Sequence, residues 1–219
     1  MAYVTKPTGR RELRKLETRQ RLADAAAQLF AEHGYDAVAM SDVATAAGVA
    51  VQTVFNYFPT KPGLVLDRAD DMLERSRRCV AERDPALTPA DALRVQVHED
   101  IDHFAARDVY FARGEFPAQS VESDSLRRYA LQFRFEQAEA IAAAIGETDP
   151  EIHALVARAH ASGLITVIQA VTDRIGEAIL SGAHLATVAQ KLHEDADVTL
   201  ADAAETFRAM KTRAATTIR

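Results

Sequence analysis

Between Ser41 and Pro59 the chain has room for two short helices, and Gly48 stands between them. Ser41 is suited to cap the first, over 42–47, and Pro59 stops the second, over about 51–58. A tightly turned helix pair makes three demands: a small residue at the crossing, a residue able to turn, and an apolar residue facing back. Ala44, Gly48 and Val54 meet them at i, i+4 and i+10, and Val43, Ala47, Val49 and Tyr57 supply supporting apolar positions. With Val54 and Phe58 turned inward, Val51, Gln52, Thr53, Asn56 and part of Tyr57 face outward. That is the end of a recognition helix that meets base edges in a major groove. Glutamine and asparagine can bond adenine bidentately, and valine or threonine methyls can meet the thymine methyl. Asn56 is the only asparagine in the chain.

The rest of the sequence also has helical periodicity. Alanine dominates, alternating β-branched residues are rare, and no Asn-Gly or Asp-Gly hairpin signal occurs. The spacing predicts a helix over about 17–32, ended by His33-Gly34. Another runs from Lys61-Pro62 to the Asp84-Pro85 break. Further helices are expected at 89–107, 122–146, 150–182, 184–193 and 199–214, and the stretch 108–124 is the least regular. The fold class is therefore all-α, with a small N-terminal unit meeting a larger C-terminal one near 58–62.

Charge divides the chain in the same way. Residues 1–21 carry seven basic side chains against Glu12 and Glu17, so a net charge of −6 conceals +5 at the head and −11 over the body. A basic head on an acidic body suits a polyanion-binding end. The single cysteine, Cys79, excludes an internal disulfide and any multi-cysteine metal site. His98 and His103, or His153 and His160, are spaced wrongly to share a metal on a helix. No Gly-x-Ser-x-Gly run or Gly-rich phosphate loop is present. Glu99, Asp100 and Asp102 read as a solvated helix face. No catalytic residue, metal site or cofactor is expected, and the chain is read as no enzyme. The best apolar run, Leu164–Val171, falls short of the ~18 residues of a membrane span. No secretory h-region follows the basic head. The expectation is a cytoplasmic protein with no membrane partner.

Four runs together carry a resemblance: Thr18-Arg-Gln-Arg-Leu-Ala-Asp-Ala-Ala, Leu29-Phe-Ala-Glu-His-Gly-Tyr, Asp42-Val-Ala-Thr-Ala-Ala-Gly-Val and Thr53-Val-Phe-Asn-Tyr-Phe-Pro-Thr-Lys. Residues from about Arg14 to Val65 resemble the DNA-binding domain of the TetR (tetracycline-repressor) family of bacterial transcriptional regulators. The resemblance implies phosphate contacts for Thr53, Tyr57 and Lys61, base reading for Val51, Gln52 and Asn56, and a cap or backbone contact for Ser41. Phe55, Ala39 and Ala50 depart from the family pattern, each replacing a residue that commonly carries a hydroxyl. The basic arm, with Arg10, Arg11, Arg14 and Lys15, is expected to lie along phosphates or in a minor groove. Thr5 to Arg14 is expected to be disordered without DNA. The domains follow: a basic flexible arm at 1–16, a helix-turn-helix domain at 17–61, and a helical ligand-binding and dimerisation domain at 62–219.

In that larger domain, the 150–182 helix is apolar around a wide arc, and Gly163 and Gly176 suggest close helix approach. Leu164, Ile168, Val171 and Ile175, with Phe207 of the terminal helix, are candidates for a four-helix dimer interface, which the resemblance also implies. Seven of the fourteen aromatic residues fall within thirty-two positions. Phe104, Tyr110, Phe111, Phe116, Tyr129 and Phe133, together with Phe135, are candidates for an apolar effector pocket. The expected function is a ligand-responsive regulator, acting as repressor. It binds double-stranded DNA at a palindromic operator as a homodimer, and a small apolar or aromatic effector releases it. The competing reading is an architectural or partner-regulated DNA-binding protein with no inducer. A body without a cavity would favour that second reading.

Overall fold

A computed structural model describes residues 9–67 and 69–217, so the first eight residues of the expected arm lie outside the described residues. Among the described residues all regular structure is helical. Helix α1 (Arg10–His33) begins well before the expected start near Glu17. Arg10, Arg11, Arg14 and Lys15 therefore sit on its exposed first turns and not in a flexible segment. Arginine, leucine, lysine and glutamate are good helix formers, and Glu12 complements the helix dipole in the first turn. Gly34 closes the helix at φ 78°, its N–H donating to the Phe30 carbonyl.

Helices α2 (Met40–Ala46) and α3 (Val51–Tyr57) form the expected pair. Gly48, at φ 65°, makes the turn, and the Val49 N–H reaches back to the Ala44 carbonyl at 3.0 Å. The cap differs from expectation. Ser41 lies inside α2, and it is the Asp42 carboxylate that accepts the free Ala39 N–H at 2.8 Å. Val43, Ala44, Val54 and Phe58 are buried against Leu22, Ala26 and Phe30 of α1. Leu64, from the short α4 (Pro62–Val65), and Leu126 join the same core, which thus extends past residue 61.

The long helix expected from Lys61-Pro62 is broken. After α4 the chain kinks before α5 (Ala69–Ala81). Arg19 of α1 donates to the Tyr57 carbonyl at 3.0 Å and to the Asp67 carbonyl at 2.6 Å, while its guanidinium lies 4.3 Å over the Phe58 ring. The break lets Leu64 face the N-terminal core and Leu66 face the body.

The body consists of α5, α6 (Pro89–Ala105), α7 (Val109–Ala112), α8 (Phe116–Glu122), α9 (Asp124–Thr148), α10 (Ala154–Ser181) and α11 (Leu185–Thr217). The Thr88 hydroxyl accepts the Asp91 N–H while the Asp91 carboxylate accepts the Thr88 N–H, a reciprocal cap that starts α6. Helix α6 packs along α11, and α9 packs between α5 and α10. The two terminal helices expected at 184–193 and 199–214 are one. Ala196 keeps the buried stripe Leu185, Ala189, Leu192, Leu200, Ala204, Phe207 in register through an otherwise acidic turn.

Two glycines let α7–α8 lie between the core helices. A Cβ on Gly114 would fall 1.8 Å from the Ala27 carbonyl oxygen of α1, and one on Gly176 would fall 2.2 Å from the Pro117 carbonyl oxygen. Helix α10 is long and apolar enough, by length and composition alone, to cross a membrane. Leu164, Ile165, Val171, Ile175 and Ile179 on it are core residues of this chain.

Candidate nucleic-acid interface and effector cavity

Helix α3 buries Val54 completely and presents Val51, Gln52, Phe55 and Asn56 to solvent, with Thr53 and Tyr57 half-buried at the edges. The Gln52 amide donates to the Asn56 carbonyl oxygen at 3.2 Å across one helical turn. That bond orients both amides on the exposed face and leaves the Gln52 oxygen and the Asn56 nitrogen to pair outward. Ser41 is exposed on α2, and its carbonyl accepts the Thr45 hydroxyl.

Lys61 is held more firmly than a surface lysine. Its ammonium lies 4.3 Å over the Tyr35 ring and 3.4 Å from the Asp36 carbonyl oxygen, and burial lowers its pKa. Tyr35 is buried, which pushes its own pKa up to about 12. The Asp36 carboxylate accepts the hydroxyls of Ser125 at 2.6 Å and Ser123 at 2.9 Å, and those bonds lower its pKa. The loop before α2 is thereby fastened to the start of α9.

A second fastening lies beside it. The buried Gln119 of α8 accepts the Tyr35 N–H at 2.7 Å. It donates to the Phe30 carbonyl at 3.2 Å and to the Arg113 carbonyl at 2.6 Å. One amide thus joins α1, the loop after it and α8. Nothing in the irregular 108–124 stretch marks this glutamine at the sequence level, because the two partners that tie it to the N-terminal unit, Tyr35 and Phe30, lie more than eighty residues away.

Phe116 and Pro117, just before Gln119, line a cavity of about 400 Å³ between α4–α6 and α8–α10. Of the aromatic residues expected there, Phe104, Phe116 and Phe133 line it. Tyr110, Phe111, Tyr129 and Phe135 are exposed elsewhere. The Tyr110 hydroxyl donates to Glu32 of α1, and Arg158 lies over the Phe135 ring. Aromatic clustering in sequence did not distinguish the inner from the outer helix face. Ile168, Val171 and Ile175 complete the apolar wall.

That assignment revises the expected dimer residues. Leu164 and Phe207 are 1% exposed, and Val171 and Ile175 are buried as well, so all four are core of the chain itself. Ile168 is half-buried. A helix apolar on both faces offered no sign of which face the body would claim.

The cavity also carries charges that the sequence reading treated as solvated. Arg75 of α5 donates to Glu99 at 2.5 Å and to Asp100 at 2.9 Å, and desolvation raises the Asp100 pKa despite that pairing. Arg134 of α9 also lines it.

Fold and site together define a two-part helical protein, a helix-turn-helix head docked on a body that carries a largely apolar cavity. Residues 22–67 match the family model described as bacterial regulatory proteins, tetR family. The HTH-type transcriptional repressor LfrR of Mycolicibacterium smegmatis is 35% identical over 86 residues, 39% of this chain and 44% of the relative. The KstR repressor of Rhodococcus jostii is 42% identical over 27% of this chain and 28% of its own length. The chain thus matches less than half the length of these curated relatives. Two solved structures share the fold across most of the chain. The SmeT–triclosan complex has a TM-score of 0.57 at 16% identity, covering 85% of this chain and 91% of that one. The transcriptional regulator FadR from Bacillus subtilis, in complex with stearoyl-CoA, has a TM-score of 0.53 at 19% identity, covering 81% and 96%.

Proposed function

We propose that this protein is a transcriptional repressor that binds a palindromic operator as a homodimer and is released when a small molecule fills the α4–α10 cavity. The observation that carries the reading is the outer face of α3. Val51, Gln52 and Asn56 stand free of the chain's own packing, at the position where such a helix enters a major groove. Thr53, Tyr57 and Lys61 flank this face for phosphate contact. Arg10, Arg11, Arg14 and Lys15 extend positive charge along the start of α1, and Ser41 adds a backbone contact from α2.

Dimerisation is proposed through the outer faces of α10 and α11. Leu155 is 67% exposed and Val198 73% exposed. Gly163 has open space where a Cβ would stand, so a second backbone can approach there. A two-fold dimer would set two copies of α3 against half-sites about one helical turn, roughly 34–36 Å, apart. The cavity supports an inducer over the architectural alternative. Its wall includes Phe116 and Pro117, and α8 is the helix whose Gln119 grips the N-terminal domain. A ligand that shifts α8 moves the head with it. Relatives and neighbours named as regulators, two of the neighbours holding small molecules, support a role without catalysis.

Fluorescence-anisotropy binding to DNA flanking the protein's own gene tests the reading, across a salt series and against scrambled competitor. Tight binding that survives competitor and collapses in a Gln52→Ala, Asn56→Ala variant is expected. Equal, weak binding to both DNAs would overturn sequence-specific regulation by α3.

A further inference from the structure

We infer that the effector is an amphipathic organic anion whose charged head pairs with Arg134, an inference that rests on the effector cavity proposed above. The charges lining the cavity fall on two walls that differ in how well they are already paired. On the α5–α6 wall, Arg75 is bonded to both Glu99 and Asp100. Asp67 and Asp71, which also line the cavity, have partners of their own. Each charge on that wall has a partner, and its carboxylates outnumber its one guanidinium, so a ligand anion finds no free cation there.

The α9 wall differs. The Arg134 side chain is only 11% exposed, and its nearest carboxylate oxygen, on Asp173, is 3.8 Å away, too far for a hydrogen bond. Arg127, two turns earlier on α9, repels it and is itself directed at the Ser120 carbonyl. A guanidinium has five N–H donors in a planar fork, and a buried one gains most from acceptors that match that fork. A carboxylate offers two such acceptors in parallel. The burial that lowers the Arg134 pKa is the same desolvation that an incoming anion would offset.

The remainder of the cavity suits an apolar tail. Phe104, Phe116, Phe133, Ile168, Val171 and Ile175 line it without charge. A volume of about 400 Å³ lies toward the small end of ligand sites. A medium-chain or aromatic acid would fill it.

Three probes of one chain length separate the possibilities: decanoate, decanol and decyltrimethylammonium, each titrated calorimetrically below micelle concentration into the full chain. Decanoate is expected to bind about tenfold or more tighter than decanol, the strength of a charge-assisted hydrogen bond in a desolvated site. Arg134→Gln is expected to abolish that preference while leaving decanol affinity within about twofold, and Arg134→Lys to retain part of it. Decanoate binding no better than decanol would overturn the inference while leaving the cavity reading intact. So would tightest binding of the ammonium, or a preference that survives Arg134→Gln. Binding of none of the three would overturn both. The ranking on the unmodified chain decides the matter even if a variant fails to fold.

Discussion

The side-chain oxygen of Gln119 accepts the backbone N–H of Tyr35 at 2.7 Å, across eighty-four positions of sequence. Through this bond and its donation to the Phe30 carbonyl, α8 of the body is fixed to the end of α1. Two positions before Gln119, Pro117 both lines the cavity and rests on Gly176 of α10. Cavity, α8 and head are thus in contiguous contact.

Replacing Gln119 by leucine keeps the volume but strands the Tyr35 N–H in a buried site. A loss of about 1–3 kcal/mol is expected on urea unfolding. The Phe30 carbonyl still accepts the Gly34 N–H, so the end of α1 itself should persist. If these contacts carry the signal, an effector should still bind the variant but change its DNA affinity less than in the native chain. An unchanged effector response with full stability would remove Gln119 from that role.

Gly176→Ala tests the seat of α8 on α10. Its Cβ would meet the Pro117 backbone oxygen at 2.2 Å, a contact that no rotamer change relieves, so overpacking of about 1–3 kcal/mol or more is expected. Gly146→Ala in α9 is the control. Its Cβ meets nothing within 4 Å, so helix propensity should stabilise the variant by about 0.5–1 kcal/mol. Thermal melts of the two should move in opposite directions.

Asp149 is a buried carboxylate that ties three helices. It accepts Lys211 of α11 at 2.6 Å and the guanidinium of Arg83, which follows α5 and also donates to Thr148 at the end of α9. These hydrogen bonds, against the opposing pull of burial, lower its pKa. Asp149→Ala leaves Arg83 buried without its ion partner, and about 3–5 kcal/mol of stability should be lost. A chemical denaturation midpoint close to that of the native chain would show that Arg83 finds another acceptor.

His160 gives a pH-dependent test. It is buried against the Phe207 ring with its Nε2 unpartnered, and desolvation pushes its pKa from 6.5 down to about 4. The unfolded chain takes up a proton near pH 6.5, whereas the folded chain resists until about pH 4. Stability is therefore fully present above about pH 6.5 and falls with acid toward pH 4, by at most about 1.4 kcal/mol per pH unit from this group. His160→Phe should lose that part of the acid slope. Identical slopes in variant and native chain would place the acid sensitivity elsewhere.

Local chemistry sufficed for much of this protein. The helix pair at 40–57, its Gly48 turn, the inward Val54 and the outward Gln52 and Asn56 all follow from residues within two or three turns of one another, because caps, turns and periodicity act over that range. The all-α class and most helix positions follow for the same reason. Tertiary structure decided everything that depends on a distant partner. It chose which apolar face of α10 became core, so Leu164 and Phe207 went inside while Leu155 and Val198 stayed out. It sent Phe116 and Phe133 to the cavity and Tyr110 and Tyr129 to the surface. It broke the helix after Val65 where Arg19 could take the Asp67 carbonyl, and paired Gln119 with Tyr35. Burial and pairing are set by what the folded chain brings alongside a residue, and that neighbour is rarely encoded next to it.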